Sequence, residues 1–155
     1  MIIKISSKDN PSFKYAKKLF DKSSFRKKEE KFIVEGVKEI DLCLKSNHTI
    51  ESIFISADNQ NNFSDTGVKT YEITQDLIKK IIYRETTEGV FAIVNYKKQD
   101  LKSLKLNSDE LILILENPEK PGNIGAIMRT YEACGFKNLI VVDSKIDLYL
   151  SLIHI

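Results

Sequence analysis

The stretch from Leu111 to Thr130, LILILENPEKPGNIGAIMRT, narrows the folds open to this chain more than any other. Its five leading apolar residues have the length of a buried strand. A turn rich in proline and glycine follows, and then a helical segment predicted from about Gly122 to Cys134, with Gly135 as its stop. Asn138 to Val142 reads as a second strand. The result is one βαβ unit beginning near Glu110, with Glu116, Asn117, Asn123 and Arg129 near the carboxyl end of its first strand. Open α/β sheets place ligands there.

The same alternation runs upstream. Asn10-Pro11 reads as a helix cap and first helical residue, because proline lacks only an N–H that would be unpaired there. Phe13, Ala16, Lys17 and Phe20 continue at helical spacing to about Asp21. Lys31 to Glu35 reads as a strand that Gly36 ends. Val37, Ile40, Leu42 and Leu44 mark a second helix, closing near Ser46-Asn47. Further strands are predicted at Ser52–Ser56, Val68–Ile73 and Gly89–Val94, with a polar loop from Asp58 to Gly67. Thr74 is placed to cap a helix carrying Leu77, Ile78, Ile81 and Ile82. The pattern predicts an α/β domain over 1–96 with a largely parallel sheet, a polar linker over 97–109, and a second domain over 110–155. One βαβ unit cannot cover both faces of its own strands, so the second domain is expected to be the opening piece of a larger one. The uncharged tail from Leu150 to Ile155 is read as a truncation scar or read-through.

Net charge is +2 and says little, but its distribution says more. Between Lys14 and Lys31 lie eight basic residues against three acidic ones, a density suited to replacing counterions on a phosphate backbone and equally to a solvated helix face. Cys43 and Cys134 have no neighbouring Cys or His, which argues against a metal. Both are expected to be buried reduced thiols, as in a cytosolic protein. No run reaches the roughly 18 apolar residues of a membrane span. His48 sits in a polar turn and receives no catalytic task.

Glu116-Asn117-Pro118, then Gly122-Asn123-Ile124-Gly125-Ala126-Ile127-Met128-Arg129-Thr130, then Ala133-Cys134-Gly135-Phe136 resemble, in this order, the first signature motif of the SpoU (TrmH-like) family of RNA 2′-O-ribose methyltransferases, in the SPOUT superfamily. Arg26 to Gly36 resembles the family's substrate-binding pattern of a basic residue, a short gap, an aromatic, two apolar residues and Glu-Gly. Arg84 to Ile93 resembles the segment that closes that domain, with Thr87 where proline is usual. The resemblance implies an N-terminal ribosomal-protein-like α/β domain followed by the first βαβ unit of a trefoil-knot methyltransferase domain. It also implies S-adenosylmethionine as methyl donor, rRNA or tRNA as acceptor, a homodimer for the full-length protein and a cytoplasmic setting. The two later motifs that form the knot and hold the cofactor have no counterpart after Arg129. No cofactor-binding residue is therefore expected in this chain, which reads as an incomplete and inactive fragment.

By that resemblance Arg129 activates the ribose hydroxyl. An arginine stays protonated, so a guanidinium that stabilises a developing alkoxide or clamps a phosphate is the sounder chemistry. The alternative makes Arg129 a surface residue paired with Glu132 or Glu119. Asn123 is placed to bind ribose or phosphate, or to cap the helix. Gly122 and Gly125 are expected to form a tight loop. Glu116 and Asn117 orient that loop or touch RNA. Arg26, Lys27, Lys28 and Lys31 are the candidate phosphate contacts. A competing reading is a non-catalytic RNA-binding module without cofactor. A nucleotide-binding loop at Gly122–Gly125 is weaker, since its spacing is neither G-x-G-x-x-G nor a P-loop.

Overall fold

A computed structural model describes residues 2–58, 63, 66–82, 88–97, 101–104 and 110–149. The chain divides into two compact units, Met1–Lys97 and Lys98–Ile155.

The first unit is built from β1 (Ile2–Ile5), α1 (Pro11–Asp21), α2 (Ser23–Glu29), β2 (Lys31–Glu35), α3 (Val37–Lys45), β3 (Ile50–Ile55), β4 (Lys69–Ile73), α4 (Gln75–Ile78) and β5 (Val90–Asn95). Its sheet has the order β1-β4-β3-β5-β2. β4 pairs in parallel with β1 and β3, whereas β5 lies antiparallel between β3 and β2. The sheet is therefore mixed and not largely parallel. Unbroken apolar runs such as Val90–Val94 report burial on both faces, which says nothing about strand direction.

Strand alternation sorts the core. Phe54 stacks on Tyr71 at 4.8 Å and on Phe91 at 4.7 Å, its register partners on either side. Ile5, Ile33, Ile73 and Ile93 join this cluster, which Phe13, Ala16 and Leu19 of α1, Leu77 and Ile78 of α4 and Ile81 beyond it complete. Ile53, Ile55, Ala92 and Val94, of opposite parity, are equally buried. α3 packs on β2 and β5 and buries Ile40. Each large apolar side chain sequestered this way contributes about 1.5–3 kcal/mol.

Local chemistry sets the helix ends. Asn10 caps α1 by accepting from the Ser12 N–H at 2.9 Å, and Pro11 is its first residue. Gly36 is held at φ +105°, and the Glu39 carboxylate occupies the space where a Cβ would stand. Glycine is therefore required at that corner. The Glu88 carboxylate accepts the first N–H of α3, from Val37, at 2.6 Å, and the Gly36 N–H donates to Val90 O at 3.2 Å. Gly36 of one upstream motif segment and Glu88 of the other thus meet at the start of α3. α4 is a single turn, and Thr74 begins it without a side-chain cap. Most of the expected 58–67 loop and Arg84 to Thr87 lie outside the described residues.

The described residues of the second unit form a 3₁₀ turn (Leu101–Ser103), β6 (Leu113–Glu116), α5 (Pro121–Ala133) and β7 (Leu139–Val142). β6 and β7 pair in parallel, giving the predicted βαβ unit. α5 ends in a Schellman motif. The Phe136 N–H donates to Tyr131 O at 3.2 Å, the Gly135 N–H to Glu132 O at 2.8 Å, and Gly135 takes φ +83°. The rings of Tyr131 and Phe136 stack at 4.9 Å, the apolar contact that accompanies this motif. The Tyr131 hydroxyl lies 2.5 Å from Leu111 O and 2.8 Å from Asn138 O. Its single proton serves both carbonyls and ties the entrances of the two strands to the helix. The remainder of the linker (98–100 and 105–109) and the tail from 150 lie outside the described residues.

Candidate functional site

The motif residues lie on two successive elements, the end of β6 and the helix α5 that follows it. Glu116 closes the strand with its side chain exposed, and Asn117 follows at φ +43°. Asparagine tolerates that left-handed conformation better than most residues. Here it is also followed by Pro118, which disfavours compact backbone at the preceding residue. The Asn117 N–H donates to Val142 O at 2.9 Å and fixes the turn to the end of β7. Asp143, the first residue beyond β7, takes φ +52°. Both parallel strands thus release the chain through a left-handed non-glycine residue on the same edge. Backbone held in a sparsely populated region clusters at ligand sites. In the sequence the only hint of this conformation is the asparagine itself, and the proline after it argues the other way.

α5 starts at Pro121 after Lys120, which makes no side-chain cap. Asn123 lies in the first turn, exposed, and its N–H closes on Lys120 O at 3.1 Å. Its amide is not the helix cap. Gly122 and Gly125 are both inside α5, and neither takes a positive φ. The expectation that they shape a loop is corrected. An added Cβ at Gly122 would meet open space, and Gly125 is buried. Their significance follows from helical spacing. Gly125 and Ala126 precede Arg129 by four and three residues, and Gly122 by seven, so all share its stripe. Helical side chains lean toward the N-terminus. Arg129 is exposed, and Gly122, Gly125 and Ala126 lie on its stripe one to two turns earlier, at about 5.4 Å of axis per turn.

The basic candidates in the first unit fare differently. Arg26 is 5% exposed and donates to Leu19 O at 2.6 Å and Phe20 O at 2.7 Å. These carbonyls belong to the last turn of α1, where helical backbone lacks its own partners and a cation is favoured. Arg26 is therefore a helix-end clamp and not a phosphate contact. Lys31 pairs with Glu51 and donates to the Tyr15 hydroxyl at 3.2 Å. The Glu51 hydrogen bond raises its pKa above the usual lysine range. Lys27 and Lys28 are exposed, followed directly by Glu29 and Glu30.

The remaining candidates are quiet. Ser46 Oγ donates to Leu42 O at 2.7 Å at the end of α3, and His48 Nδ1 lies 2.9 Å from Ser46 Oγ. The serine proton is spent on the helix, so the pair is no nucleophile and base. Cys43 is half-buried, with its thiol pKa pushed up by burial, and Cys134 is exposed. The expectation of two buried thiols fails at Cys134, which follows the last residue of α5. Among the described residues no cluster of three or more His, Cys, Asp or Glu is placed to hold a metal. No helix among them is long and apolar enough to cross a membrane.

Two concavities of about 600 and 400 Å³ flank α5. The smaller is lined by Leu113, Ala126, Ile127 and Phe136 together with Thr130, Tyr131 and Cys134. Its hydroxyls are committed, Thr130 to Ala126 O at 3.1 Å and Tyr131 to backbone.

Comparison with known proteins finds matches along both units. Residues 10–92 match the model of the MRM3-like substrate binding domain, and residues 110–151 that of the SpoU rRNA methylase family. The chain is 25% identical over 146 residues to the 23S rRNA (guanosine(2553)-2′-O)-methyltransferase RlmP of Bacillus subtilis, covering 94% of this chain and 56% of that protein. It is 28% identical over 149 residues to the 23S rRNA (uridine(2479)-2′-O)-methyltransferase of Streptomyces viridochromogenes, covering 90% and 51%. The chain thus spans about half the length of these curated relatives. In fold it matches the SpoU methyltransferase AviRb of Streptomyces viridochromogenes, solved with AdoMet, at a TM-score of 0.83 and 24% identity over 93% of this chain and 57% of that one.

Proposed function

We propose, for a chain that belongs to the SpoU family of RNA 2′-O-ribose methyltransferases, that it supplies the RNA-holding and acceptor-activating parts of an rRNA methyltransferase whose complete form methylates a ribose 2′-hydroxyl. The observation that supports this reading is that Glu116, Asn117, Asn123 and Arg129 are all exposed and follow one another from the end of β6, through the left-handed residue Asn117, onto α5.

The chemistry required of these residues follows from the acceptor. A 2′-hydroxyl becomes a nucleophile as it loses its proton, and negative charge grows on its oxygen. A fixed guanidinium stabilises that charge, or clamps the neighbouring phosphate so that the sugar cannot turn. The exposed Asn123 amide, one turn into α5, offers both a donor and an acceptor to the same sugar. S-adenosylmethionine, the cofactor of the family, supplies the methyl group when bound. Its site is not assigned to residues of this chain. The homodimer remains a proposal for the complete protein.

The test is methyl transfer to 23S rRNA by protein expressed at the relatives' full length, read as resistance of one phosphodiester to alkaline cleavage. Arg129→Ala is expected to lower the rate at least about 100-fold, the scale for removing a preorganised charge-stabilising donor. RNA affinity should stay within a few-fold. Full activity in Arg129→Ala contradicts the role.

A further inference from the structure

The lysines of α1 lie in a groove that the sequence reading had not separated from the α2 run. Lys14, Lys17 and Lys18 of α1, Lys8 before it, Lys22 after it and Lys80 beyond α4 line a concavity of about 340 Å³. Asp9 and Asp21 are its two acidic members, leaving four positive charges over, and the buried Phe13 contributes to its wall. Lys14 is neutralised by Asp9 at 2.7 Å and Lys17 by Asp21 at 3.1 Å. Lys17 also donates to Lys80 O at 3.2 Å, which joins α1 to the turn after α4. Among the described residues no carboxylate lies within salt-bridge distance of Lys8, Lys22 or Lys80. Lys18 rests over the Phe25 ring at 4.2 Å, an interaction that positions the ammonium without cancelling its charge.

Charge balance separates this groove from α2. There Arg26 is buried, Lys31 is paired with Glu51, and the exposed Lys27 and Lys28 are matched in number by Glu29 and Glu30. From Lys14 to Lys22 the α1 row extends about 12 Å along the helix axis. We infer that this groove between α1 and the turn after α4 is the seat of the RNA sugar–phosphate backbone, and that α2 is not. The inference rests on the RNA-methylation reading and assigns its substrate contact. The partner class follows from the side chains. All six cations are lysines, point charges that attract phosphate without the bidentate geometry that reads a base edge. The groove therefore holds RNA irrespective of sequence and leaves discrimination to other parts of the protein.

The test measures binding of this 155-residue chain to a mixed-sequence 20-nucleotide RNA strand and to a hairpin, across a salt series. The Lys18→Gln/Lys22→Gln/Lys80→Gln protein is expected to bind both roughly tenfold or more weakly at low salt. Its log affinity against log salt should flatten by about 2, since each phosphate contact contributes about 0.7–0.9 to that slope. Lys27→Gln/Lys28→Gln should change affinity less than about twofold. Lys8→Gln/Lys80→Gln, both outside the helices, repeats the effect in smaller measure should the triple variant fold poorly. Normal affinity in the groove variants, with loss in the α2 pair, overturns the assignment while leaving the RNA-methylation reading in place. So does a loss confined to one of the two RNAs. If the unaltered chain shows no salt-dependent RNA binding, the parent reading fails and the groove assignment with it. Tight binding of a poly-glutamate peptide in preference to both RNAs reassigns the groove to an acidic protein partner and overturns the inference.

Discussion

In the first unit, strands bury alternate side chains on two faces, and Phe54, Ile53 and Ile55 are all fully covered. In the second, two strands and one helix leave Leu111 57% and Ile114 60% exposed, with Met128 at 42%. The two units use the same kinds of element. What differs is the number of strands available to share each helix. One crossover helix covers one face of its own strand pair, and Ile124, Gly125 and Tyr131 are what it buries. The contrast also divides the polar chemistry. In the first unit buried or half-buried charge, at Arg26 and Lys31, is consumed by the fold, and free charge collects in the α1 groove. In the second the motif side chains Glu116, Asn117, Asn123 and Arg129 all remain at the surface.

The contrast can be broken by substitution. The largest effect is expected from Phe54→Ala, which removes the ring between Tyr71 and Phe91. It should cost about 3–5 kcal/mol in denaturant unfolding of the first unit, a large part of an ordinary domain's stability. A cost below about 1 kcal/mol would mean that this core is not the organising one. Tyr131→Phe should cost about 1 kcal/mol and act locally, speeding hydrogen exchange in β6 and β7 while the first unit stays protected. Equal loosening of both units would contradict their separation. The smallest effect concerns the thiols. Burial, with Glu39 adding to it, raises the Cys43 pKa and lowers its thiolate fraction at neutral pH. A thiol reagent should therefore modify the exposed Cys134 first, and the reverse order would contradict the burial contrast.

Features set by local chemistry were legible in the sequence. The Asn10-Pro11 start of α1, the Gly36 corner and the Gly135 stop each depend on one residue's backbone preference or side-chain reach, and each is found as read. Features set by distant partners were not. β1 is a four-residue edge strand whose Ile2 and Ile3 remain exposed, so it carries no burial pattern to read. α2 has almost no apolar stripe, since its buried residue is Arg26. A charged side chain consumed by the carbonyls of a neighbouring helix looks in sequence like any solvated cation, and so the phosphate contact was placed on α2. The positions of Asn123 and Arg129 on α5 followed from motif order. The helix predicted from about Gly122 already contained Gly122 and Gly125, and their reading as loop-formers conflicts with it; the structure decides for the helix.

The division of labour between the lysine groove and α5 is tested most directly by single-turnover methyl transfer in full-length protein at saturating rRNA. The groove variant Lys18→Gln/Lys22→Gln/Lys80→Gln should require more RNA to saturate and then react at the unaltered rate, whereas Arg129→Ala should saturate normally and react at least about 100-fold more slowly. A groove variant slowed at saturation, or an Arg129→Ala protein that keeps its saturated rate, contradicts the account.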